Sequence, residues 1–184
     1  ILALLVKTPV AAGDCIHIPS GTCHALGGGV RVVEIQTASD TTFRVWDWDR
    51  NDPARPLHLD AAMACISFGT SPTSPAAMTR CSETPAVEVD GVRRRRLCTA
   101  GEFTIDHLDL DAGTHSVTVG STPVILVGIE GDLAVVDSDG HRTRLAEEDA
   151  VLLPIGGAAP RIECDAPGRV LLVEVPATPG VRLA

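Results

Sequence analysis

One stretch of this chain recurs, and the recurrence limits what the chain can fold into. Gly13-Asp14-Cys15-Ile16-His17-Ile18-Pro19-Ser20-Gly21-Thr22-Cys23-His24 lies over Glu148-Asp149-Ala150-Val151-Leu152-Leu153-Pro154-Ile155-Gly156-Gly157-Ala158-Ala159 at a constant offset of 149 − 14 = 135. Asp, Pro and Gly coincide in both copies. Each copy reads as a turn, a short apolar strand, a Pro-x-Gly corner and a returning strand, Val30 to Gln36 in the first and Val170 to Val175 in the second. Proline ends a strand because it has no N–H to give to a ladder, and glycine supplies the backbone freedom to turn. A small antiparallel barrel needs both at its corners. The copies differ where chemistry is at stake, since His24 in the first faces Ala159 in the second.

The rest of the chain is consistent with a mainly β architecture. Short Val/Ile/Leu runs separated by Gly (17) and Pro (13) predict further strands at Cys15 to Ile18, Thr42 to Asp47, Phe103 to Leu110, Val124 to Ile129, Leu133 to Asp137 and Ala150 to Leu153. Only the apolar opening up to about Val6 and the stretch Asp60 to Ile66 read as helix, with Asp60 placed to cap the latter. The Ser/Thr/Pro-rich stretch that follows favours an extended linker. The expected domains are therefore 1–66, a linker over 67–90, and 91–184. Arg93 to Arg96 reads as a solvated strand or turn.

Composition excludes several functions. With 45% hydrophobic residues the 184-residue chain can bury a core, and its formal charge of 15 − 24 = −9 argues against nucleic acid as a partner. No apolar run reaches the ~18 residues that span a bilayer, so no membrane role and a cytoplasmic location are expected. The cysteines (Cys15, Cys23, Cys65, Cys81, Cys98, Cys164) contain no C-x-x-C pair, and reduced thiols are the expectation. The chain opens at Ile1 within an apolar stretch, as if the start of something larger lay upstream.

A strand, a G-D-x(4)-P-x-G-x-x-H corner (Gly13, Asp14, Pro19, Gly21, His24) and a returning strand form the second half-motif of a cupin barrel. Together with Val33-Glu34-Ile35-Gln36, Phe43-Arg44-Val45-Trp46-Asp47-Trp48-Asp49-Arg50 and Leu57-His58-Leu59-Asp60, residues 1 to about 70 closely resemble type I phosphomannose isomerases of the short bacterial kind. The resemblance implies an incomplete cupin (jelly-roll) barrel followed by a smaller cupin-like β-domain without metal ligands. It implies interconversion of mannose 6-phosphate and fructose 6-phosphate by a 1,2 proton shift, with one divalent metal, usually zinc, polarising the sugar oxygen. The family's last metal ligand falls on His24 and its active-site arginine on Arg44, where a guanidinium can stabilise an enediolate or hold the phosphate, the plainer alternative being a strand arginine paired with Asp47 or Asp49 on the surface.

The family's other ligands lie upstream of the segment that Ile1 opens, so the first barrel is expected to be half present and the fragment inactive alone. A zinc site needs about three protein ligands, and His24 supplies one. The base stays open among His17, His58 and Glu34, which qualify by residue type only. Asp14, Asp40 and Asp60 are expected to shape turns or cap the helix, and Trp46 and Trp48 to share one face. The expected partner is a small sugar phosphate, and a homo-oligomer is compatible with the sequence. One competing reading is a non-catalytic cupin-like module for sugar phosphates or another subunit. Another is a self-sufficient metal cupin, which requires His17, Glu34 and Gln36 to gather around His24, with strand alternation holding Glu34 and Gln36 on one face.

Overall fold

The computed structural model describes residues 3, 5–39, 41–68, 79–80, 85–156 and 159–175. The fold is mainly β and divides into two compact units, Ile1–Arg80 and Cys81–Ala184. Asp40, the start of the apolar opening at Ile1 and Leu2, and most of the expected linker fall outside the described residues.

The first unit is held by turns more than by sheet. Strand β1 (Ile16–His17) pairs antiparallel with β2 (Thr79–Arg80). Ahead of β1, the Asp14 carboxylate accepts the Ala11 N–H at 2.8 Å while the Asp14 N–H donates to the Ala11 carbonyl at 3.1 Å. After it, Gly21 turns with φ of 83°, and its carbonyl accepts the Ser67 N–H at 3.0 Å. A Cβ at Gly21 would come within 2.6 Å of Ser67 Oγ and 2.9 Å of the Cys65 carbonyl, so this corner needs glycine for space as well as for its angle. Helix α1 (Leu59–Cys65) forms where expected, but its N-cap residue is His58 and no side chain caps it. Asp60 sits inside the first turn, where its charge complements the helix dipole without capping it.

The strands expected at Val30 to Gln36 and Thr42 to Asp47 are absent. A β-prone run becomes a strand only against a partner ladder, and among the described residues neither stretch has one. Val32 stands 50% exposed and Val30 and Val33 are also open to solvent.

The second unit is a two-layer antiparallel sandwich. One sheet orders β10 (Ala150–Leu153), β7 (Val124–Glu130), β12 (Gly168–Glu174), β5 (Thr104–Leu110), β4 (Val92–Thr99) and β3 (Val87–Val89), the last inside the stretch whose composition reads as linker. The other orders β6 (Gly113–Ser116), β11 (Arg161–Cys164), β8 (Leu133–Val136) and β9 (Arg142–Leu145). Leu108, Leu110, Leu126, Val170 and Leu172 from the first sheet pack against Leu133, Val135, Leu145 and Ile162 from the second. Each such side chain contributes about 1.5–3 kcal/mol when removed from water, which makes this layer the main source of the unit's stability.

The second copy of the repeat is built like the first. Ala146 N–H donates to the Asp149 carboxylate at 2.9 Å, Asp149 N–H donates to the Ala146 carbonyl at 3.1 Å, and Gly156 turns with φ of 84°. The arginine run forms β4, whose alternation sends Arg93 and Arg95 to one side of the sheet and Arg94 and Arg96 to the core side. There both Arg94 and Arg96 donate to Asp106, a side chain only 1% exposed, while the arginines themselves stay partly open to solvent.

Candidate functional site

His24 lies just beyond the Gly21 corner, exposed, with its Nδ1 2.8 Å from the Thr22 carbonyl oxygen. A carbonyl only accepts, so Nδ1 carries the proton and Nε2 presents its lone pair outward. That tautomer and that backbone tether are how metal-ligating histidines are commonly oriented. One imidazole is nevertheless not a metal centre. Among the described residues no group of three or more His, Cys, Asp or Glu side chains converges on a point. His17 is half-buried in β1, whereas Glu34 and Gln36 lie exposed in a segment without a ladder, so the alternation that would align them does not operate. The residues described therefore do not by themselves fit a zinc ion, and the three-residue cluster around His24 does not form.

Arg44 is held from several sides. Its backbone N–H donates to His58 Nδ1 at 3.0 Å, and its carbonyl accepts the His58 N–H at 2.8 Å, so the helix entrance is tied to the Arg44 backbone. Its guanidinium donates through Nη1 to the Pro56 carbonyl at 3.2 Å, and Nε lies 3.7 Å from Asp47. Asp47, one of the two surface partners the sequence offers Arg44, also gathers other arginines. It receives two hydrogen bonds from Arg55, at 2.8 and 2.9 Å, and one from Arg50 at 3.3 Å. The Arg55 hydrogen bond, outweighing the opposing desolvation and joined by the charges of Arg55, Arg50 and Arg44, holds the Asp47 carboxyl below its ordinary value of 3.8. Arg44 is thus the arginine of the three least committed to Asp47, and it keeps donors for another acceptor.

Beside this hub, Trp46 and Trp48 meet with ring centroids 4.5 Å apart, and Trp46 Nε1 donates to Asp49 at 3.1 Å. The rings meet because the backbone turns, with φ of 54° at Trp48 and 56° at Asp49, and not because a strand alternates. His58 also lies edge-on to Phe43 at 6.3 Å, which fits a role in packing and backbone pairing. No helix among the described residues is long and apolar enough to cross a membrane.

Comparison with known proteins places these features in context. The chain is 33% identical over 156 residues to the mannose-6-phosphate isomerase of Streptococcus mutans, covering 82% of this chain and 46% of that protein. It is 30% identical over 156 residues to mannose-6-phosphate isomerase ManA of Bacillus subtilis, covering 83% and 47% respectively. A shorter match, 49% over 68 residues, is to the probable mannose-6-phosphate isomerase GmuF of the same species, covering 35% of this chain and 22% of that one. The chain spans about half the length of the first two relatives. Among solved structures, an ethanolamine utilization protein Q from Salmonella typhimurium matches with a TM-score of 0.48 at 20% identity, covering 61% of this chain and 96% of that one. An RmlC-like cupin from Shewanella frigidimarina matches with a TM-score of 0.46 at 20% identity, covering 53% and 87%. No protein-family model matches the chain.

Proposed function

We propose that this chain, 30–33% identical over 156 residues to two mannose-6-phosphate isomerases, is the C-terminal part of an enzyme of that family, interconverting mannose 6-phosphate and fructose 6-phosphate. The observation that carries this reading is the alignment of 156 residues, over four-fifths of this chain, with each of two such isomerases.

In this reading Arg44 is the catalytic cation. Aldose–ketose isomerisation passes negative charge onto the carbonyl oxygen as a proton leaves the neighbouring carbon. A guanidinium already fixed by Pro56 and Asp47 meets that charge without having to reorganise. The same group can instead hold the sugar phosphate. Asp47 acts through Arg44 as a positioning residue, since Arg50 and Arg55 hold its carboxylate where it lies 3.7 Å from Arg44 Nε. His24, with Nε2 free, is proposed as one ligand of the family's divalent metal. Its companions would come from outside the residues described. An acidic chain of this composition fits a cytoplasmic enzyme acting on a small sugar phosphate, with no nucleic-acid partner.

The absence of a three-ligand group among the described residues favours one other reading, a non-catalytic module for sugar phosphates or another subunit. Turnover of mannose 6-phosphate and zinc content, measured on this chain and on one extended upstream to the length of its relatives, separate the two. The isomerase reading expects no turnover from this chain, and turnover with one bound zinc from the extended one. His24→Ala should lower its zinc occupancy, and Arg44→Lys should reduce kcat by about 10²–10³-fold with zinc retained. An extended, zinc-loaded chain that fails to isomerise leaves the module reading in its place.

A further inference from the structure

The sandwich of the second unit contains a cavity that the isomerase reading does not use. It has a volume of about 320 Å³, at the lower end of the small-molecule range, and opens between the core sides of the two sheets. Its walls are apolar, formed by Leu108 and Leu172 from one sheet and Ile162 from the other. Polar groups converge on them: Arg94 and Glu174 on the six-stranded sheet, and His115, itself only 7% exposed, on the four-stranded one.

Arg94 and His115 are held in place before any ligand arrives. Arg94 commits Nε and Nη2 to Asp106, which Arg96 also binds, so its fork cannot swing while Nη1 has no partner among the described residues. Glu174 lies 3.9 Å from Arg94 Nη2, close enough for one ligand to reach both. His115 Nε2 donates to the Asp111 carbonyl at 2.8 Å, leaving Nδ1 as an acceptor. The charges of Arg94, Arg96, Asp106 and Glu174 cancel, so a fully charged ligand gains no net counter-charge there.

We propose that this cavity binds a small neutral polyol, of which an unphosphorylated monosaccharide is the type. A guanidinium donor beside a carboxylate acceptor matches the paired donors and acceptors of neighbouring hydroxyl groups, and the apolar walls match the C–H face of such a ring. The site lies wholly within the second unit, which contains neither His24 nor Arg44.

The test is titration of the full 184-residue chain, isotopically labelled, with D-glucose, D-mannose, mannose 6-phosphate and benzoate, followed by backbone amide shifts. The neutral hexoses should give saturable shifts at Arg94, His115, Thr118 and Glu174, and mannose 6-phosphate should bind there at least about tenfold more weakly. Thr118→Trp, on the exposed rim, should block the shifts. Glu174→Gln should weaken them about tenfold, and it serves alone if the rim variant fails to fold. No saturable shift around the cavity, or tighter binding of either anion than of the hexoses, overturns the proposal. So does hexose binding that neither variant alters. Because no readout involves isomerisation, the outcome is independent of whether the first unit belongs to an active enzyme.

Discussion

Asp149 closes a turn on Ala146 from both ends, its carboxylate accepting the Ala146 N–H at 2.9 Å and its own N–H donating to the Ala146 carbonyl at 3.1 Å. Asp14 and Ala11 repeat the arrangement 135 positions earlier, at 2.8 and 3.1 Å. The carboxylate bond in each case replaces a ladder bond that the turn cannot make. Asp149→Ala should destabilise the second unit by about 1 kcal/mol, and Asp149→Asn by less, because the amide oxygen still accepts. Chemical denaturation of the two variants checks the order, and equal losses would argue against the side-chain bond.

Gly128 on β7 lies against that same turn. Its N–H donates to the Asp149 carbonyl at 2.9 Å and its carbonyl accepts the Glu148 N–H at 3.1 Å. A Cβ there would meet the Ala146 carbonyl oxygen at 2.0 Å, backbone that has no rotamer to escape through. Gly128→Ala is expected to cost about 3 kcal/mol, at the upper end of overpacking penalties. Gly140→Ala, whose Cβ meets nothing within 4 Å, serves as the comparison, although its φ of 85° adds a smaller strain of its own. A Gly128→Ala protein as stable as the Gly140 variant would contradict the contact.

The Asp106 carboxylate, clamped by Arg94 and Arg96, should show strong coupling between the two arginines. Arg96→Met leaves Arg94 in place and should cost about 1 kcal/mol. Arg94→Met combined with Arg96→Met strands a carboxylate that is 1% exposed, and about 3–5 kcal/mol is expected, more than the two single changes added together. A double-mutant cycle measures the excess, and simple additivity would show that water reaches Asp106.

His107, half-buried on the other side of the same sheet, titrates below the ordinary 6.5. Burial is the main cause, opposed by Asp109 and reinforced by Arg95, Arg169 and Arg93. Above pH 6.5 the imidazole is neutral in folded and unfolded chains and adds no pH dependence. As pH falls through 6.5 the unfolded chain takes up the proton first, so stability drops until the folded form is also protonated. Thermal melts should fall over that range, and His107→Asn should flatten that part of the profile. An unchanged slope in the variant would assign the loss to other histidines.

Asp47 in the first unit shows the opposite limit. Its carboxyl is held below 3.8, first by the Arg55 hydrogen bond, so its stabilising effect is complete above pH 3.8 and disappears as pH falls from there through its folded pKa. Asp47→Asn should remove that acid-sensitive component, which a carboxyl titration followed by NMR would locate.

Much of the second unit could be read from sequence because its strands are apolar and bounded by turn residues. Val124 to Ile129, Leu133 to Asp137, Ala150 to Leu153 and Phe103 to Leu110 each match a strand within a residue or two. Strands β6 and β9 escaped because Gly-Thr-His-Ser and Arg-Thr-Arg-Leu carry almost no apolar alternation and are set by their neighbours, and β11 because Arg-Ile-Glu-Cys, although it alternates with burial, offers only four residues of pattern. The Arg93 to Arg96 run concealed its core-facing pair because nothing local announces that Asp106 waits across the ladder. The reverse error arose at Val30 to Gln36 and Thr42 to Asp47, where β propensity is real but no partner strand is present among the described residues. At the candidate site, a motif alone singled out His24 and Arg44, and their roles as ligand and catalytic cation are those proposed above. The Asp47 hub had no such signal, since it gathers Arg44, Arg50 and Arg55 through turns with left-handed backbone at Trp48, Asp49 and Asn51.

The contact between Trp46 and Trp48 gives the molecule a built-in reporter. The chain has two tryptophans and no tyrosine, and both indoles belong to the first unit. Indole emission therefore follows that unit alone, while far-ultraviolet ellipticity is dominated by the sandwich. Recording both on one sample shows whether the two halves let go together or in sequence.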